Sequence, residues 1–220
     1  MSVKNSQKVV ALLGGTFDPP TIGHFMLAFE CINLNLANQV WLIPTGKRTD
    51  KQVQTSPGDR LKMTQLFLND LKKIYPSIKD KILINPIEVE NEVTIKTYFL
   101  LQKLKQQYPD ILFKWIIGSD LANNLDKWVE GQKLKESQDF IIIQRPNYKL
   151  KQESLPNKFE YIQDIFQTNI SSTQVRQRIQ QNLNEEFGIQ GVLSQSVIDY
   201  IQNNQLYEQL QQDIIKQSNL

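Results

Sequence analysis

Short, mostly apolar runs recur along this chain and alternate with longer stretches in which apolar residues return every three or four positions. Val9–Leu13, Val40–Ile43, Lys81–Ile84, Ile111–Ile117 and Phe140–Ile143 are four to seven residues long and rich in β-branched side chains, the pattern of strands buried on both faces. Tyr161–Phe166 reads as a sixth strand, and Ile87–Val89 as a continuation of the third beyond Pro86. Between them lie helical patterns. Ile22–Leu36 carries Phe25, Met26, Phe29, Ile32 and Leu36 on one stripe. Ser56-Pro57 supplies an N-cap and a first-turn proline for a helix that runs to about Tyr75, before Pro76. Further helices are expected over Thr94–Gln107, from Gly118-Ser119-Asp120 onward, from Ser171 to about Gln181, and over Ser194–Tyr207.

Strands that alternate with helices predict an α/β fold of Rossmann-like type: an open, mainly parallel sheet covered by helices on both faces. The 220 residues suit one domain, here spanning 1–220 with a small C-terminal helical part from about 171. In such a sheet the strand-to-helix junctions share one edge, where ligands bind. Three junctions carry unusual polar residues: Gly14–His24, Gly118–Asp120 and Ile170–Arg176.

At the first junction Gly14 and Gly15 permit a tight turn and close approach to a ligand, and Pro19-Pro20 stiffen the entry to the helix. Thr21 and His24, three apart in the first helical turn, share a face from which a hydroxyl and an imidazole could donate to phosphate oxygens. At the last junction Ser171, Ser172 and Thr173 can each cap a helix whose N-terminal N–H groups face an anion, with Arg176 one turn further on. Taken singly, these are a glycine-proline loop and an ordinary capped helix.

Composition narrows the chemistry. Net charge is +2, from 25 basic and 23 acidic residues, which speaks against a nucleic-acid surface driven by bulk charge. The single cysteine, Cys31, excludes an intramolecular disulfide, and the single histidine, His24, excludes a multi-histidine metal site. The polar start, Met1 to Lys8, lacks the apolar core of a signal peptide, and no apolar run is long enough for a bilayer. A soluble, cytoplasmic protein without membrane partners is expected.

Gly15-Thr16-Phe17-Asp18-Pro19-Pro20-Thr21-Ile22-Gly23-His24 resembles the (H/T)xGH signature of the nucleotidyltransferase superfamily, and Ile170-Ser171-Ser172-Thr173-Gln174-Val175-Arg176 resembles its ISSTxxR signature. Within that superfamily the chain most resembles the nicotinate/nicotinamide mononucleotide adenylyltransferases. Pro44 with Lys51 and Arg60-Leu61-Lys62-Met63 is similar to their lysine-bearing loop and RxxM helix. Thr94-Ile95-Lys96-Thr97 is similar to their TxxT helix start, and Ile117-Gly118-Ser119-Asp120-Leu121 with Leu125 and Trp128 to IGxDxL…L..W. Arg145-Pro146 follows the fifth strand as in the family. The resemblance spans about residues 8 to 207.

It implies adenylyl transfer from ATP to a pyridine mononucleotide, with pyrophosphate leaving and magnesium bridging the ATP phosphates. Gly15, Thr16, Phe17, His24, Ser172, Thr173 and Arg176 would bind ATP. His24, Arg176, Thr21 and Lys51 would be the catalytic set. Thr94, Thr97, Gly118, Asp120, Trp128 and Arg145 would hold the mononucleotide, with Trp128 stacked on the pyridine ring. Thr21 stands where many bacterial members have histidine, which leaves His24 as the one imidazole available, and Ser119 stands where alanine is frequent. Another adenylyltransferase of the superfamily, such as a phosphopantetheine adenylyltransferase, and a non-catalytic nucleotide-binding protein are the alternatives. The sequence leaves open the acid or amide form of the base and the oligomeric state, a homo-oligomer included.

Overall fold

The computed structural model describes residues 7–48, 53–145, 148–166, 168–181 and 188–207. The first apolar run forms β1 (Lys8–Gly15), followed by α1 (Ile22–Asn33), β2 (Gln39–Pro44), α2 (Pro57–Ile74), β3 (Ile82–Ile84), α3 (Ile87–Glu90) and α4 (Thr97–Gln107). The second half gives β4 (Ile111–Gly118), α5 (Ser119–Ala122), α6 (Gly131–Ser137), β5 (Asp139–Ile143), β6 (Lys158–Ile162), α7 (Ser172–Gln181) and α8 (Gln195–Asn203). The six strands make one sheet in the order β3-β2-β1-β4-β5-β6, with every pairing parallel.

The period-2 alternation of a strand divides each apolar run between two cores. Ala11 and Leu13 of β1 join Phe25, Ala28, Met63, Phe67, Val175 and Ile198 from α1, α2, α7 and α8 on one face. Val10 and Leu12 join Leu100, Leu104, Leu125 and Leu134 from the α4–α6 side on the other. Residues of α8 therefore pack into the same core as α1 and α2. Tyr200 adds a hydroxyl bond to Asp59 Oδ1 at 2.9 Å. No helix among the described residues is long and apolar enough to cross a membrane.

Several boundaries differ from the sequence expectation. Ile87–Val89 does not extend β3. Asn85 Oδ1 accepts the Ile87 N–H at 3.1 Å and turns the chain into α3. α4 begins at Thr97 rather than Thr94, with Lys96 extended at the N-cap position. The last strand lies earlier than Tyr161–Phe166, because Lys158–Ile162 is the segment in register with Asp139–Ile143. It is an edge strand of alternating polar and apolar residues, which an apolar-run reading passes over. The end of the chain follows the pattern only in part: α8 stops at Asn203, four residues short of Tyr207.

α2 starts as its Ser56-Pro57 pair requires. Ser56 Oγ accepts the Asp59 N–H at 3.1 Å, and Asp59 returns a carboxylate oxygen to the Ser56 N–H at 3.3 Å. One turn in, Arg60 points inward and is only 1% exposed. Its Nη1 donates to the carbonyls of Thr16 and Thr45 at 2.9 and 2.7 Å, and its Nη2 to that of Gly46 at 2.9 Å. The loops leaving β1 and β2 are thereby tied together through one guanidinium. Arg60→Met should leave these carbonyls without their donor and cost about 3 kcal/mol. Urea unfolding midpoints compared with the wild type measure the loss.

Candidate active site

β1 and β4 are neighbours in the sheet, but the connections from their carboxyl ends run to opposite sides, which opens a crevice between them. β1 enters it through Gly14 and Gly15. A Cβ on Gly14 would sit 2.9 Å from Trp115 Cζ2, and one on Gly15 would sit 2.9 Å from Phe17 Cζ. Phe17 takes a left-handed backbone (φ 51°) and buries its ring beneath the glycines. That ring meets His24 edge-on, with centroids 5.0 Å apart.

His24 occupies the third position of α1. Its Nδ1 accepts the Thr21 N–H at 3.0 Å and lies 2.9 Å from Thr21 Oγ1. A backbone N–H can only donate, so Nδ1 carries no proton and the ring hydrogen is on Nε2. Burial pushes the imidazole pKa down to about 4, and the positive charge of Arg145 acts in the same direction. At neutral pH the group is an uncharged ring with one N–H donor at its far end. Thr21 is 1% exposed and turns its hydroxyl toward this ring. The sequence reading had the two side chains as parallel donors, whereas here the threonine orients the histidine.

The last junction closes onto the first. Ser171 and Gln174 cap α7, with Ser171 Oγ accepting the Gln174 N–H at 3.2 Å and Gln174 Oε1 accepting the Ser171 N–H at 3.1 Å. Ser172 Oγ is then free to donate to the Pro19 carbonyl at 2.8 Å. Arg176 Nη1 donates to the Asp18 carbonyl at 2.6 Å, and Nη2 to Thr173 Oγ1 at 3.2 Å. The two signature segments thus meet at Asp18-Pro19. Lys51 and Pro146 lie outside the described residues.

Beside the glycine turn is a cavity of about 490 Å³, lined by Gly14, Gly15, Thr94, Thr97, Trp115 and Trp128 among others. Thr94 Oγ1 is buried with no hydrogen-bond partner among the described residues, a donor and acceptor left for whatever fills the space. Trp128 packs partly against the second core and presents the rest of its ring to the cavity. Gly118 and Asp120 do not line it. A Cβ on Gly118 would overlap Asp120 Oδ1 and approach Arg145 Cγ at 2.9 Å. Among the described residues Asp120 Oδ1 also lacks a hydrogen-bond partner, with Arg145 Nε 4.0 Å away. Arg145, grouped with the mononucleotide set from sequence, lines a separate pocket of about 60 Å³ with Thr21, His24 and Phe166.

The cytidylyltransferase-like family model matches residues 12–178. A protein of Oceanobacillus iheyensis named "Probable nicotinate-nucleotide adenylyltransferase" is 37% identical over 199 residues, covering 90% of this chain and 96% of its own. The protein of the same name from Bacillus cytotoxicus is 32% identical, covering 91% and 99%. Plasmodium falciparum nicotinic acid mononucleotide adenylyltransferase, solved in complex with NaAD, superposes with a TM-score of 0.79 at 31% identity, covering 91% of this chain and 98% of its own.

This chain belongs to the nicotinate/nicotinamide mononucleotide adenylyltransferase family.

In this member of the family, four residues at the site carry no sequence signal of their own. Trp115 sits on an apolar strand and reads as core. Asp18 lies inside the first signature, but its partners come from distant segments. Tyr207 falls at the end of a helical pattern. Glu88 lies in an acidic surface-like stretch, yet it is 3% exposed, accepts the Gly46 N–H at 3.1 Å, and is pushed up to about 7 by burial.

Two outcomes follow for His24. The side chain of His24→Gln can still accept the Thr21 N–H, completing a Thr-x-x-Gln capping box, but places no N–H where Nε2 stands. His24→Gln should therefore keep wild-type thermal stability while turnover falls about 100-fold. His24→Ala should show the same loss of turnover and in addition cost about 1 kcal/mol of stability. Steady-state rates and thermal melts on both variants separate these effects. For pH, the folded pKa of about 4 lies below the ordinary histidine value of 6.5. The stability tied to the neutral ring is present above 6.5 and is lost as pH falls through the folded value. The melting-temperature gap between wild type and His24→Gln should move against the wild type as pH falls through that window, and a gap independent of pH would contradict the assignment.

Proposed function

We propose that this chain transfers the adenylyl group of ATP to nicotinate mononucleotide, releasing pyrophosphate and the dinucleotide. The observation that carries the reading is the meeting of the two signature segments. His24 Nδ1 and the guanidinium of Arg176 are both bonded to the loop that follows β1, at Thr21 and Asp18, and the adjoining glycine turn lines a cavity together with Trp128. A phosphate oxygen of the mononucleotide attacks the α-phosphorus, and the new P–O bond forms as the α–β bridging bond breaks. The electron pair leaves with pyrophosphate, and no bond to the protein is made. Catalysis is then positioning and stabilisation of phosphate charge.

His24 donates from Nε2 to a phosphate oxygen. Burial keeps the ring uncharged at neutral pH, and the N–H of a neutral imidazole is too weak an acid to pass its proton to phosphate, so Nε2 acts as a hydrogen-bond donor only. The backbone of Gly15, Thr16 and Phe17 lines the path of the triphosphate. Ser172, Thr173, Arg176 and Lys51 receive the pyrophosphate. Trp128 stacks on the pyridine ring, Thr94 and Thr97 lie beside it, and Asp120 accepts from ribose hydroxyls across Gly118. The position of Arg145 beside His24 favours a contact with the ATP half rather than with the mononucleotide. Magnesium enters as part of the MgATP substrate on phosphate oxygens. Among the described residues no group of three or more His, Cys, Asp and Glu side chains could hold an ion, so the chain supplies cations and N–H groups around it.

The nicotinate form is favoured by the cavity's charge. Arg48, Lys96 and Lys127 line it against one carboxylate, that of Glu88, a balance that suits a base carrying a negative group. The named relatives support the same form. Parallel assays of pyrophosphate release with MgATP and each mononucleotide should give a kcat/KM at least about tenfold higher for nicotinate. A preference for the amide would reverse this assignment. In the same assay Trp128→Ala should raise the KM for the mononucleotide about tenfold and leave that for ATP within about twofold.

A further inference from the structure

The Asp18 carboxylate is 4% exposed and takes its donors from widely separated parts of the chain. Oδ1 accepts from Thr55 Oγ1 at 2.7 Å and from the Tyr207 hydroxyl at 2.9 Å. Oδ2 accepts the Gln54 N–H at 3.3 Å and lies 3.8 Å from Arg176 Nη1. That same Nη1 donates to the main-chain carbonyl of Asp18 at 2.6 Å. The residue therefore steers Arg176 through its backbone while its charge is occupied elsewhere. A buried carboxylate needs its hydrogen bonds, and here two hydroxyls on Oδ1 hold it away from the guanidinium.

One of those hydroxyls comes from a tyrosine just past α8. Tyr207 is 6% exposed, with its ring in the core formed by α1, α2 and α8 and its oxygen 3.9 Å from Met63 Sδ. The backbone reaches this seat through left-handed conformations at Gln205 (φ 50°) and Tyr207 (φ 73°), which non-glycine residues rarely adopt. Burial, then the charge of Asp18, raise the pKa of the phenol, so it remains a donor throughout the useful pH range.

We infer that Tyr207 is a positioning residue for the pyrophosphate end of the site: its hydroxyl anchors Asp18 so that Arg176 stays directed at phosphate instead of collapsing onto the carboxylate. The inference rests on the reading of Arg176 as the pyrophosphate ligand. Without the Tyr207 hydroxyl, Oδ1 keeps Thr55 alone. The carboxylate can then turn, close the 3.8 Å gap to Arg176 and draw the guanidinium out of the crevice.

Tyr207→Phe removes the oxygen and keeps the ring. Isothermal titration of the full chain with pyrophosphate alone should show about tenfold weaker binding in this variant, at a melting temperature close to the wild type. In an Arg176→Ala background the same substitution should change affinity by less than about twofold, because the group through which it acts is gone. Unchanged pyrophosphate affinity in Tyr207→Phe, or a tenfold penalty that persists with Arg176→Ala, overturns the inference. A purely structural role would lower the melting temperature and add independently to the loss of Arg176. Thr55→Val removes the other Oδ1 donor and supplies the same comparison should Tyr207→Phe not fold. Adenylyl transfer by the wild type, measured on the same preparations, tests the catalytic reading separately, since the titration needs no turnover.

Discussion

A parallel sheet whose connections switch sides in its middle leaves a cleft where β1 and β4 hand over to their loops, and the main-chain groups at that edge have no strand to pair with. Buried carbonyls and N–H groups must nevertheless find partners. Most of the polar side chains in this region answer that requirement. Arg60 collects the carbonyls of Thr16, Thr45 and Gly46, Glu88 takes the Gly46 N–H, Ser172 takes the Pro19 carbonyl, and Arg176 takes that of Asp18. The glycine turn can stay open to a ligand because its flanks are satisfied from the sides and from below rather than from within the crevice.

His24 joins the two demands in one residue. In a capping box the third helical position usually carries Glu or Gln, whose oxygen accepts the N-cap N–H. Here an imidazole fills that place through Nδ1, and the helix terminus itself sets the tautomer. A glutamate there would cap as well but would bring negative charge to the place where phosphate is proposed to bind. A histidine caps with one nitrogen and donates with the other. Its burial and the nearby Arg145 both work against protonation, so the donor stays neutral through ordinary pH.

The strands, their parallel order and the two signature junctions were readable from sequence because they are local: apolar runs, a Ser-Pro helix start, hydroxyls at a helix N-terminus. β6 was misplaced because an edge strand buries little and so alternates polar with apolar residues. Thr21 was read as a donor because spacing puts it on the face of His24, and spacing cannot say that its hydroxyl meets the ring. The place of Arg145 after β5 groups it with the mononucleotide residues, and sequence alone does not show that its side chain lies beside Gly118 and lines a pocket with His24. The Asp18–Tyr207 bond joins residues 189 apart. Nothing in the tail's helical pattern announces it, since the residue that matters lies just past the end of the helix.

The bond from Arg176 to the Asp18 carbonyl spans 158 positions. A chain growing from its N-terminus completes the glycine turn and His24 early, then makes most of the sheet before the second half of the phosphate cradle exists. The seat of Tyr207 comes later still. The early segment is thus an idle half-site throughout most of synthesis, with a cap and a donor but no opposing cation. The contact that joins the two signature segments, and the core residues that α7 and α8 add beside α1 and α2, thus belong to the finished molecule alone.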